Sequence, residues 1–85
     1  QLLAEFSLKG QAYQEALQFA QRSLDLEPCC QESHLVCMRS YLGLRRPEQA
    51  VRQFEVCQRT LATELQMEPS LDLLEAHQRS LLSLP

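Results

Sequence analysis

Cys30, His34 and Cys37 fall at i, i+4 and i+7, so on a helix they share a face and could offer two thiolates and an imidazole to zinc. A structural zinc takes four ligands, however, and no CxxC knuckle or second His/Cys pair supplies the rest; His77 belongs to a different helix and Cys29 points elsewhere. Small, weakly polar side chains of this kind also fill helix interfaces, and this reading assigns the trio to the core, with no metal and no cofactor. Adjacent Cys29 and Cys30 make a poor redox pair, because bridged α-carbons usually stand about 5.5 Å apart; they read as fillers at a helix start. Nucleophilic catalysis would need a base and an orienting group beside a cysteine or serine. With two histidines and no glycine-rich elbow, the chain is not expected to be an enzyme.

Arg45, Arg52 and Arg59 recur every seven residues, a spacing that could present a basic stripe to phosphates. Glu48 precedes Arg52 by four and Glu55 precedes Arg59 by four, the orientation that favours intrahelical ion pairs, so the stripe is expected to be neutralised locally. The net charge of -3 supplies no global field toward nucleic acid or anionic membrane, and no direct nucleic-acid contact is expected. No run approaches the roughly 20 apolar residues of a membrane span, and Gln1-Leu2-Leu3-Ala4-Glu5 lacks the basic-then-apolar plan of a leader. Four cysteines in a chain that is 45% hydrophobic suit a reducing, cytoplasmic setting rather than a disulfide framework. A start at Gln1 instead of Met suggests a piece of a longer protein.

The elements that would carry these residues are all helical. Two glycines and four prolines punctuate a chain rich in Leu, Gln, Glu, Ala and Arg, all good helix formers. Leu2, Leu3, Phe6 and Leu8 mark the tail of a first helix closed by Gly10 as a left-handed cap. Tyr13, Ala16, Leu17, Ala20 and Leu24 step by three and four along a second helix, which Glu27-Pro28 ends. A third runs from about Cys30 to Leu42, presenting His34, Leu35, Met38, Tyr41 and Leu42, with Gly43 closing it. Pro47 opens the longest helix, which carries Ala50, Val51, Phe54, Cys57, Leu61 and Leu65 to about Gln66. Ser70 caps a last helix with Asp72 in its first turn, packed by Leu71, Leu74, Leu81 and Leu82.

These helices repeat. Ala16 and Ala50, Leu17 and Val51, Ala20 and Phe54, Ser23 and Cys57 are each 34 residues apart, the tetratricopeptide period, in which small residues let antiparallel helices close up and neighbouring pairs stack. Tyr13 to Leu17 followed by Leu24 to Pro28 resembles the second helix of such a repeat, and Tyr41, Ala50 and Phe54 match in the next copy. His34 and Cys37 then take inward-packing positions. The expected fold is all-α: antiparallel tetratricopeptide-like helix pairs in a short right-handed solenoid of about five helices. Residues 1–85 form one domain, with a first pair over 1–28, a second over 29–66 and a terminal helix over 70–84.

Ala50 to Cys57, Leu61 to Leu65 and Glu68-Pro69-Ser70 together resemble the bacterial transcriptional activator domain, the tetratricopeptide-like helical region of bacterial regulators of the antibiotic-regulatory-protein type. The resemblance spans essentially the whole chain. Gln66-Met67 stands where that family commonly has Gly-Val, and Leu71 where a proline often follows the serine. It implies a non-catalytic protein-interaction and self-association module supporting a DNA-binding domain that lies outside these residues. A generic peptide-binding scaffold in a signalling or assembly protein is the alternative. By the same resemblance, a partner groove maps to Glu5, Leu8, Lys9, Glu32, Leu35, Arg39 and Leu42. Leucine in excess of one packing face on the last helix nominates Leu74 and Leu81 for self-association, a homodimer being the simplest closed form.

Overall fold

Proline and serine set the helix starts. Pro47 occupies the first turn of its helix, where a missing N–H costs nothing, and the Ser70 hydroxyl accepts the Leu73 amide at 3.4 Å as the cap of the last one. The computed structural model of the chain describes residues 2–85, with side chains and burial over 10–85. The described residues form α1 (Leu2–Leu26), α2 (Gln31–Gly43), α3 (Pro47–Glu64) and α4 (Leu71–Leu82), with no strand among them. The expected all-α class stands, with four helices in place of about five.

The difference lies at Gly10, which does not close a helix. It sits inside α1, which at 25 residues, rather than α3, is the longest element. A helix-interior glycine costs about 1 kcal/mol relative to alanine, too little to break a run flanked by good helix formers. Gly43 is likewise no left-handed cap: neither glycine has positive φ, and the left-handed residues are Arg45 (φ 61°) and Gln66 (φ 49°). At the end of α2 the Arg46 amide bonds the Tyr41 carbonyl at 2.7 Å and the Arg45 amide bonds that of Leu42 at 3.1 Å, the paired closure of a Schellman motif with Arg45 as its left-handed residue. Gly43 is needed for a different reason. A Cβ there would lie 2.4 Å from the Tyr13 ring, so α1 approaches the end of α2 over a bare backbone.

α2 is the middle of the molecule. It packs against α1, α3 and α4, whereas α1 touches neither α3 nor α4 among the described residues. On one side Cys37 joins Leu17 and Ala20 of α1, with Leu24, Val36, Tyr41 and Leu44 around them. On the other, Met38 joins Ala50, Phe54, Cys57 and Leu61 of α3 with Leu73 and Ala76 of α4. Adjacent residues, Cys37 and Met38, thus serve opposite clusters, and Tyr41 touches both. A helix buried on two sides shows no single apolar stripe.

α4 corrects a sequence reading. Leu71, Leu74, Leu81 and Leu82 do not pack it; they are exposed, and the inward face is Leu73, Ala76 and Ser80 with half-buried His77. The His77 ring stacks on Phe54 with centroids 3.9 Å apart and planes at 14°, and the buried Ser80 hydroxyl donates to the Ala76 carbonyl at 2.8 Å. Leucines occupy both faces, so periodicity alone does not choose between them. Contact with Phe54 does.

Two substitutions test this packing. Ala50 has no exposed surface, so Ala50→Leu should cost roughly 1 to 3 kcal/mol by overpacking; an unchanged thermal melt would contradict the close approach of α2 and α3. Gln66→Gly should stabilise by up to about 1 kcal/mol by relieving a left-handed backbone, and a lower melting temperature would show that its side chain outweighs that strain.

Candidate functional site

His34 belongs to the core, at 2% exposure. Its Nε2 stands 2.8 Å from the Pro28 carbonyl and its Nδ1 2.8 Å from the Gln53 side-chain amide nitrogen. A carbonyl can only accept and an amide N–H can only donate. The ring is therefore neutral, with the proton on Nε2 donated to Pro28 and the Nδ1 lone pair receiving Gln53. Both nitrogens are in use, which leaves no lone pair for a metal. Desolvation holds its pKa below the usual 6.5, opposed by the bond to Pro28. Among the described residues no group of three or more His, Cys, Asp or Glu side chains is placed to hold a metal ion.

The cysteines follow the same logic. Cys37 and Cys57 are fully buried, and burial pushes both thiols up to about 11, so they stay protonated at neutral pH. Cys29 packs beside the α3 and α4 cluster and Cys30 lies 3.2 Å from the Ser33 hydroxyl. All four are free thiols. The Ser33 hydroxyl also donates to that of Ser23 on α1 at 2.8 Å, which turns the small residue expected at position 23 into a polar cross-link between helices.

The groove residues are divided by the fold. Glu5, Leu8 and Lys9 lie outside the residues whose side chains are described. Glu32 lines a cleft of about 310 Å³ between α1 and α2, beside exposed Phe19 and half-buried Val36. Leu35 and Leu42 are half-buried against the cluster shared with α3 and α4. Arg39 and Leu42 border a crevice of about 30 Å³ whose other wall is Asp72, Glu75 and Arg79 of α4, room for about one water. On this α2 face Arg39 stays exposed and, with Leu42, meets α4 across that crevice.

Exposed apolar side chains occur on α1, at Phe19 and Leu26, on α3 at Val56, and in greater number on the outer side of α4. Leu71 is 82% exposed, Leu82 81%, Leu81 47% and Leu74 43%, and at 100° per residue these four share about 100° of arc, opposite the buried face. Leu65 and Met67 in the preceding turn are each about half exposed, and Met67 and Leu74 border a cleft of about 400 Å³ with Pro69. The helical spacing puts all four in the packing face and nominates Leu74 and Leu81 for self-association as well; the structure turns all four outward.

The expected pairs Glu48–Arg52 and Glu55–Arg59 are not formed. Among the described residues the ion pair within 4.0 Å is Glu75–Arg79, at 3.6 Å on the exposed face of α4. Pairs of this kind are worth a few tenths of a kcal/mol, too little to hold long side chains at one spacing against other surroundings.

The family of the bacterial transcriptional activator domain matches residues 1–81. The chain belongs to that family. No curated protein and no solved structure matches the chain. As a bacterial transcriptional activator domain it is associated with transcriptional regulation, and the family is a regulatory one rather than an enzyme family. No described helix of this domain is long and apolar enough to cross a membrane.

The His34 arrangement gives a pH signature. The unfolded chain takes up a proton near 6.5 and the folded one only at lower pH, so this contribution is complete above about pH 6.5 and declines below it toward the folded pKa. Urea melts from about pH 8 to pH 5 should show stability falling below 6.5, with a shallower fall in His34→Gln. Equal slopes in the two proteins would mean that His34 is not held neutral.

Proposed function

We propose that the domain is a protein-interaction and self-association module of a bacterial transcriptional regulator, supporting a DNA-binding domain elsewhere in the same protein. It acts in the cytoplasm, by helix-surface recognition rather than chemistry. The observation that carries this reading is the outward leucine face of α4, formed by Leu71, Leu74, Leu81 and Leu82. Exposed leucines gathered on one side of a helix, here with Gln78 between the two pairs, mark a contact surface on a small domain, and the commonest closed solution for two identical faces is a two-fold dimer.

The tetratricopeptide-like reading supports the same role. α2 and α3 pack together, α4 lies beside α2, and of the pairs 34 residues apart Ala20 of α1 and Phe54 of α3 are both buried. In a right-handed solenoid of such pairs α4 is the first helix of a further unit, and its outer face is where the next element stacks. That element is a second copy in the isolated chain and another domain in the full regulator. The family match favours this reading over a generic peptide-binding scaffold.

Sedimentation or light scattering across a concentration series should show a reversible dimer. Leu74→Glu and Leu81→Glu, each placing a charge in the contact, should weaken it at least about tenfold while leaving the helical circular-dichroism spectrum unchanged. A monomer at every accessible concentration, or a dimer indifferent to both changes, would refute the assignment.

A further inference from the structure

A cleft of about 570 Å³ opens where α2 turns into α3, and Arg45, Arg46 and Arg52 stand on its walls. Glu48 is the one acidic side chain lining it, with Gln49 and Ser83 as further polar groups. No carboxylate of the described residues comes within 4.0 Å of any of the three guanidinium groups, although Glu48 and Arg52 are spaced to pair. Three positive charges therefore surround one hollow, in a chain whose net charge is -3. Charge gathered on the walls of a concave, low-dielectric surface focuses potential into it.

The backbone adds to the same field. The Schellman closure of α2 sets Arg45 and Arg46 side by side at the cleft, and α3 begins there, with Arg46 in the capping position and no side chain capping its free amides. The corresponding position before α4 is filled by Ser70, whose hydroxyl accepts an amide. The start of α3 thus directs a partial positive charge toward the three arginines.

We propose that this cleft binds a compact anion carrying two or more phosphate charges. Planar guanidinium forks match phosphate oxygens in pairs; Glu48 and, in the 85-residue chain, the terminal carboxylate of Pro85, which also lines the cleft, leave one of the three positive charges in excess. The volume lies within the range of small-molecule sites, about 300 to 1,000 Å³. No aromatic residue lines it, so there is no platform on which to stack a base, and recognition is of the phosphates. The three arginines are themselves exposed, but Arg59, next in the seven-residue series, does not line the cleft, so the basic surface stops at its walls instead of running on along α3 as a DNA duplex would need. None of the leucines of the α4 outer face lines this cleft, so the two surfaces can be tested separately.

The test is titration of the 85-residue chain with inorganic pyrophosphate at low ionic strength, by calorimetry and amide chemical shifts, against sodium chloride of matched ionic strength. Saturable binding is expected, centred on residues 45–52, weakened roughly tenfold by Arg46→Gln or Arg52→Gln and unchanged by Arg59→Gln. Adenosine diphosphate should bind about as tightly as pyrophosphate, because the base is not read. Absence of saturable binding, equal loss in Arg59→Gln, or much tighter binding of adenosine diphosphate would overturn the proposal. So would a short DNA duplex or an acidic peptide that displaced pyrophosphate through the same arginines, since the surface would then belong to a macromolecule.

Discussion

Burial of α2 on two opposite sides is the constraint from which the rest of the molecule follows. A helix so placed must present apolar surface in more than one direction and must find a partner for each polar group it buries. α2 does this with small or adaptable residues. Cys37 serves the α1 side and Met38 the α3 and α4 side, while Ser33 bonds Ser23, His34 bonds both Pro28 and Gln53, and the Gln31 side-chain oxygen Oε1 accepts the Ser70 amide at 2.9 Å. Each of those bonds reaches a different segment. One short helix therefore fixes the turn after α1, the face of α3 and the cap of α4.

The same constraint explains what could be read from the residues and what could not. α3 is buried along one side only, so Ala50, Phe54, Cys57 and Leu61 of its stripe follow directly from helical spacing and are buried, while Val51 is half-buried and Leu65 lies past the end of the helix and is about half exposed. α2 is the opposite case. Its buried set includes Ser33 and Ser40, which no hydrophobic pattern selects, and although the repeat positions place His34 inward, how its second nitrogen is satisfied shows only when Gln53 is brought to it. In α4 the leucines lie on both faces, and the deciding partner, Phe54, is distant in sequence. Gly10 and Gly43 mislead for another reason. Glycine permits a left-handed ending without requiring one, and the residues that adopt it are Arg45 and Gln66. The candidate groove was the least legible part, because its α2 face depends on where α4 lies.

For function, the consequence is a division of surfaces. The inner face of α4 completes the core, and its outer face is left as apolar surface in a domain of a transcriptional regulator family. In the role proposed above, a partner seated on Leu71, Leu74, Leu81 and Leu82 is tied through α4 and Gln31 to α2, and through α2 to α1. The histidine and the buried thiols serve that rigidity, being neutral, paired or enclosed rather than reactive.

Amide hydrogen exchange of the chain, followed residue by residue at low and high protein concentration, tests this account most directly. Amides of α2 should be the slowest at every concentration, because their opening requires both clusters to separate. Protection in α4 should rise with concentration as its outer face is covered. Exchange in α2 as fast as in α4, or a concentration-dependent gain confined to α1, would contradict it.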